Sequence, residues 1–318
     1  MIKQPAITIG FSSHRIEVIP FARRMMESHN VIITEEAPNS TFKDMLNKKV
    51  SIDEYLNEVD SGFPEFSRRM YKVLRRFHQK GKKILQVEPY MERLMHIHEM
   101  FFEGKEPSEV LKMPGLKEVY VAEKKATGAL LHFYESSMSK SFTKIIDAVK
   151  NFARADAERF RIRDKMRAEA ISEILSEDKT VYVEAGAIHI YLEKALRQRL
   201  GKGWQIKSVF LLEPVVKKLT GMRQVIAPGD ILTEHYIFRK RKDEDFENLL
   251  AARSLIYIQI LTKEEMTPSL IDKIPHIKDE IRAIELVNRL SLEQCDGIYG
   301  KIRFRNRSEA LAIIQEYL

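Results

Sequence analysis

The chain predicts an α/β fold: a mostly parallel central sheet flanked by helices, with a long helical insertion and a mainly helical C-terminal region. Three observations carry this. Short apolar runs at 6–10, 31–35, 83–88, 180–185 and 205–212 alternate with amphipathic segments, the pattern of parallel strands covered on both faces. Residues 107–177, between the third and fourth runs, are rich in Ala, Lys, Glu, Met and Leu, with few breakers after Gly128. Beyond Pro214 the strand pattern fades and helical periodicity takes over.

The elements follow in order. The first strand, 6–10, leads into a helix over 17–29 with Ile19, Ala22, Met25 and Met26 on its apolar side. The second strand, 31–35, is ended by Pro38 and Asn39. Helices follow over 51–59, where Ser51 and Glu54 form a capping box, and over 64–79, closed by Gly81. The third strand, 83–88, is stopped by Pro89. The stretch 107–177 reads as two or three long helices forming a lid or subdomain beside the sheet; its apolar spacing holds no strict heptad, which argues against a coiled coil. A fourth strand at 180–185, a helix at 190–200 capped by Gly201 and a fifth strand at 205–212 complete the core. Residues 231–238 read as a further strand, and 246–261, 268–290 and 308–318 as helices. The expected organisation is an α/β core over 1–215, including the insertion 107–177, with a strand/helix extension over 216–318 packed on it.

Composition narrows the function classes. The chain has 318 residues, 44% of them hydrophobic, enough for a substantial core. No segment approaches the roughly 20 apolar residues of a membrane span. Residues 1–5 lead straight into a strand, so neither a signal peptide nor a membrane association is expected. A single cysteine, Cys295, excludes an internal disulfide and a Cys-rich zinc site and suits a reducing cytoplasm. The net charge of +7 arises from 53 basic and 46 acidic residues, closely interleaved as in thermophile proteins. The run Arg239-Lys240-Arg241-Lys242, followed by Asp243-Glu244-Asp245, reads as a solvated turn. Without basic strands interleaved with aromatics, nucleic acid is not an expected partner. Gly-x-Ser-x-Gly and Walker loops are missing, which argues against a serine-hydrolase elbow and a P-loop. His96 and His98 stand two apart on a helix and point in different directions, and Phe101-Phe102 reads as core.

The chemistry gathers at strand ends. The first strand runs into Gly10-Phe11-Ser12-Ser13-His14, the second into Glu35-Glu36-Ala37-Pro38, the third into Glu88-Pro89 and the fourth into Gly186-Ala187-Ile188-His189. In a parallel sheet these carboxyl ends share one edge, where α/β proteins bind ligands. Two imidazoles and two carboxylates suit a divalent metal ion (Mn, Co or Zn) or a general acid/base pair acting on water. Arg163-Asp164, on the helix before the fourth strand, can orient a carboxylate or bind an anion.

On these motifs the chain resembles the erythromycin-esterase/ChaN/TraB–Tiki superfamily, over about residues 5–215. The shared features are a first strand ending in Gly10 with His14 nearby, a second ending in Glu36, an Arg-Asp-x-Met helix at Arg163-Asp164-Lys165-Met166, and a strand ending in Gly186-x-x-His189. The superfamily includes metal-dependent proteases, esterases that open a macrolide lactone and a haem-binding lipoprotein. The resemblance implies a metal-dependent, peptidase- or esterase-like hydrolase acting on a small molecule or peptide. His14, Glu36, His189 and Arg163 would be catalytic, and His14, Glu36 and His189 the metal ligands. Glu88, Asp164, Ser13 and Glu35 would contact substrate. The alternative is a non-catalytic protein that holds a small molecule or tetrapyrrole in the same crevice. The insertion would shape the pocket or supply a homodimer interface.

Overall fold

A computed structural model describes residues 4–59, 62–175, 180–238, 241 and 243–318; Arg239, Lys240 and Lys242 of the basic run lie outside them. Among the described residues five strands form one all-parallel sheet in the order β3-β2-β4-β1-β5, surrounded by helices, and the fold is α/β. The strands are β1 (Ala6–Ser12), β2 (Val31–Thr34), β3 (Lys83–Gln86), β4 (Thr180–Gly186) and β5 (Gln205–Phe210).

The chain divides into two compact units. The first comprises residues 1–117, 162–224 and 265–273. It holds the sheet with α1 (Ile19–Glu27), α2 (Phe42–Leu46), α3 (Ile52–Glu58), α4 (Pro64–Gln79), α5 (Pro89–Phe102) and α6 (Pro107–Val110). Helix α7 (Pro114–Ser137) starts here, α8 (Phe142–Ile174) ends here, and α9 (Tyr191–Leu200) and α10 (Glu213–Thr220) complete the unit. The second unit comprises 118–161, 225–264 and 274–318. It contains most of α7, the first part of α8, and α11 (Pro228–Ile237), α12 (Glu244–Ile260), α13 (Pro275–Asn288), α14 (Leu292–Ile302) and α15 (Arg307–Gln315).

Local chemistry accounts for the elements of the first unit. Helix α3 is held by the expected capping box: Glu54 N–H donates to Ser51 Oγ at 3.0 Å and Ser51 N–H to Glu54 Oε2 at 2.7 Å. Helix α4 starts at Pro64 and stops where Gly81 takes φ +83°, the left-handed conformation that glycine tolerates best. β1 and β4 pair with Thr8 opposite Tyr182, Gly10 opposite Glu184 and Ser12 opposite Gly186. Tyr182 is fully buried, and its ring lies over Gly10. A Cβ on Gly10 would stand 2.3 Å from the Tyr182 hydroxyl oxygen and 2.7 Å from ring carbons. Gly10 is therefore dictated by a side chain on the neighbouring strand.

The structure divides the chain differently from the sequence expectation. The middle of the 107–177 insertion belongs with the C-terminal helices, because Phe142, Ile145, Ile146 and Ala153 share one apolar core with Leu255, Ile284, Val287 and Ile298. Residues 231–238 form helix α11 rather than a strand; Pro228 occupies its first turn, where the missing N–H costs nothing, and Leu232 enters the core. Helix α14, absent from the sequence reading, carries a capping box of Ser291 and Gln294. Phe102, expected in the core, is 96% exposed at the end of α5. Among the described residues no helix is long and apolar enough to cross a membrane.

Gly10→Ala is expected to lower unfolding stability by about 1–3 kcal/mol or more, the usual range for overpacking a tight core. Tyr182→Phe is expected to be near neutral or stabilising, since among the described residues the buried Tyr182 hydroxyl has no hydrogen-bond partner. Urea unfolding of both variants checks this; a stable Gly10→Ala would show that the ring does not fix the glycine.

Candidate functional site

The carboxyl edge of the sheet gathers its ionisable groups around one point. β4 ends at Gly186, and the following turn brings His189 back beneath the strand end, its N–H bonded to Gly186 C=O. Glu35 follows β2. A Cβ on Gly186 would stand 3.5 Å from His189 Cδ2, 3.6 Å from Glu35 Oε2 and 3.6 Å from His14 Cε1. The three side chains thus converge around Gly186.

Two carboxylates grip His189. Its Nε2 lies 2.9 Å from Glu35 Oε1 and its Nδ1 2.5 Å from Asp164 Oδ1. The second oxygen of Glu35 accepts from Gly186 N–H at 2.5 Å and lies 3.5 Å from Arg167 Nη1. Arg167 is fully buried; its Nε donates to Val87 C=O at 2.9 Å and its Nη2 to Glu184 C=O at 2.6 Å. Arg163, one turn earlier on α8, lies 3.6 Å from Glu35 and 3.5 Å from Glu88.

Electrostatics follow from this packing. Burial opposes the charge on Glu35, but His189 and Arg167 outweigh it and hold the carboxyl well below its ordinary range. Burial also works against a charged His189, yet Glu35 and Asp164 push it up to about 9. The pair is therefore a carboxylate and an imidazolium at neutral pH. His14 behaves oppositely: burial lowers its pKa, with only partial compensation from Glu35, so it is neutral. Glu184, opposite Gly10 on β4, is pushed up to about 8 by burial and by Glu36 and Glu35 and holds its proton at neutral pH.

His14, Glu35 and Glu184 border a cleft of about 620 Å³. His14 and Glu35 lie at one part of its wall, with Glu36, Gln86 and Glu184 from the strands and Tyr55, Phe66 and Tyr71 from α3 and α4. His14 has a positive φ of 50°, a conformation uncommon outside glycine and frequent at functional positions. Among the described residues none hydrogen-bonds either of its ring nitrogens.

The sequence-predicted residues part company here. His14, Glu35 and His189 meet. Glu36 leaves the chain in the other direction from Glu35 and accepts from Tyr71 Oη at 2.7 Å and Gln86 Nε2 at 2.9 Å. Asp164 and Glu88, expected to contact substrate, are sealed at 0% and 1% exposure; one orients His189 and the other balances the two arginines. Arg163 is committed to Glu35 and Glu88, so its charge serves the site from behind rather than an anionic substrate. Ser13 is exposed and outside the cleft lining, because its neighbour Ser12 takes the inward direction. Glu184, Arg167, Tyr71 and Gln86 were missed. An ionisable residue within the apolar run 180–185 was the signal for Glu184, and the i,i+4 spacing from Arg163 was the signal for Arg167.

The expected metal set does not fit this arrangement. Both nitrogens of His189 already face carboxylates, and Glu36 bonds elsewhere. Among the described residues no three His, Cys, Asp or Glu side chains are placed to hold an ion. The chemistry available is proton transfer: a neutral imidazole, a protonated carboxyl and a fixed carboxylate beside one cleft.

Three comparisons bear on identity. The chain is 32% identical over 291 residues to a protein of Archaeoglobus fulgidus described only as uncharacterized, covering 92% of this chain and 97% of that one. No family model matches it. No solved structure matches it.

Three of the shifted groups set the pH dependence of stability that the site contributes. Glu35, with its lowered pKa, contributes stability above about its ordinary 4.5 that is lost as pH falls. His189 contributes fully below 6.5, and that contribution disappears as pH rises through about 9. Glu184 is favourable below 4.5 and loses its contribution as pH rises through about 8. Urea unfolding should therefore show maximal stability on the acid side of neutrality and a decline to pH 9 that Glu184→Gln makes shallower. An unchanged alkaline slope in that variant would contradict the assignment.

Proposed function

We propose that this chain, which belongs to the same family as the Archaeoglobus fulgidus protein, is a hydrolase that cleaves an ester or amide bond of a small-molecule or peptide substrate by general acid–base catalysis. One observation carries the reading. His14 is a neutral imidazole whose ring nitrogens have no hydrogen-bond partner among the described residues, held at a positive φ in the cleft wall and converging with Glu35 and His189 around Gly186. That is the environment of a general base.

The steps follow from the residues. A substrate carbonyl lies in the cleft with a water molecule beside His14. A ring nitrogen of His14 takes a proton as the water oxygen attacks the carbonyl carbon. The new imidazolium is stabilised by the nearby Glu35 carboxylate, which raises the basicity of His14 against the opposing effect of burial. Glu35 can do this without moving, because His189, Gly186 N–H and Arg167 fix it. Protonated Glu184 gives its proton to the departing alcohol or amine. Solvent then returns the proton from His14 to Glu184, restoring both groups. Asp164 sets the orientation of His189 by bonding Nδ1, an indirect role.

Hydrolysis of a panel of 4-nitrophenyl esters and aminoacyl-4-nitroanilides tests the reading. His14→Ala should lose about 10²–10⁴ of the rate, the usual range for one general base, with unfolding stability retained. The rate should survive treatment with chelators. No turnover across the panel, or an unaltered rate in His14→Ala, would overturn the proposal. Gly186→Ala should also fold, since its Cβ meets neighbours only at ordinary contact distance, yet lose most activity by filling the space between His14 and Glu35. Full activity in Gly186→Ala would place the chemistry elsewhere.

A further inference from the structure

The charge of the cleft is opposite to that of the chain. The protein has 53 basic against 46 acidic residues, yet its cleft is lined by Glu35, Glu36, Glu58 and Glu184 and, among the described residues, by no lysine or arginine. Glu35 is answered by His189 and Arg167. Glu36 is not: among the described residues the groups that bond it are all uncharged, the Tyr71 hydroxyl, the Gln86 amide and the Thr34 hydroxyl. A carboxylate has about four acceptor positions, so Glu36 retains capacity toward the cleft. The walls beside it are aromatic. Tyr71 meets Tyr55 edge-on with ring centroids 5.1 Å apart, and Phe66 joins the lining.

We infer that the substrate is an organic cation, an apolar body bearing a protonated amine that docks on Glu36 among the rings of Tyr55, Tyr71 and Phe66. An ammonium group supplies the positive charge that the uncharged donors on Glu36 do not, and gains further from aromatic faces. An anionic ligand would meet the carboxylates of Glu35, Glu36 and Glu58 and, among the described lining residues, no lysine or arginine. A neutral ligand would leave the Glu36 carboxylate without an answering charge after water is displaced. The position of the amine relative to the cleaved bond rests on the hydrolase reading; the recognition itself requires only the cleft. It gives Glu36 a binding role, in place of the catalytic and metal-ligand roles expected from the sequence.

Three matched probes test this by isothermal titration on the full chain at pH 7: 4-phenylbutylamine, 4-phenylbutan-1-ol and 4-phenylbutanoate. The amine should bind at least tenfold tighter than the alcohol, about 1.4 kcal/mol, and the carboxylate weakest. Glu36→Gln keeps the shape and should weaken the amine about tenfold while leaving the alcohol within twofold. The retained alcohol affinity shows that the variant is folded. Tyr71→Phe keeps the ring and should reduce the amine preference less. Equal affinities for the three probes, a preference for the carboxylate, no binding at all, or an intact amine preference in Glu36→Gln would overturn the inference. Failure of the hydrolase reading looks different: amine-selective binding without turnover of any ester or anilide.

Discussion

The site depends on one buried carboxylate. Glu35 is 9% exposed and would be costly to ionise alone. It is ionised because an imidazolium, a guanidinium and a backbone N–H surround it. Each of these is in turn held by something else: His189 by Asp164, Arg167 by the carbonyls of Val87 and Glu184, and the Gly186 N–H by the end of β4. A fixed negative charge then stands beside a histidine that burial keeps neutral. The difference between His14 and His189 is a difference of partners. His189 is buried and bonded to two carboxylates; His14 is half-buried in the cleft wall and, among the described residues, has none bonded to it.

The sheet supplies the precision. β4 lies between β2 and β1, so the tips of these three strands are neighbours and need no long side chains to meet. The pairing of Gly10 with Glu184 and Ser12 with Gly186 fixes how far His14 stands from the turn that carries His189. Gly10 and Gly186 serve opposite ends. Gly10 makes room for a packed ring, whereas three functional side chains converge around Gly186.

Much of this was legible in the sequence. Strand runs of five to eight residues between amphipathic helices revealed the parallel sheet, and a parallel sheet places Glu35, His14 and His189 on one edge. The choice between Glu35 and Glu36 was not legible. Adjacent residues past a strand end diverge, and only the position of Tyr71 on α4 shows which direction is taken. The role of Asp164 needed the fold too, since a helix residue twenty-five positions before His189 meets it only through the packing of α8 on the sheet. The partition of the insertion depended on which apolar faces share a core, as Phe142 and Ile145 do with α12 to α14. Periodicity identifies such faces without naming their partners.

The central claim is an asymmetry of protonation between two histidines at one site. Nitrogen NMR of the imidazole rings at pH 7, with His14 and His189 assigned by substitution, measures it directly. The account predicts both nitrogens of His189 protonated and the ring charged, beside a neutral His14 that carries one proton. A neutral His189, or a charged His14, would contradict it.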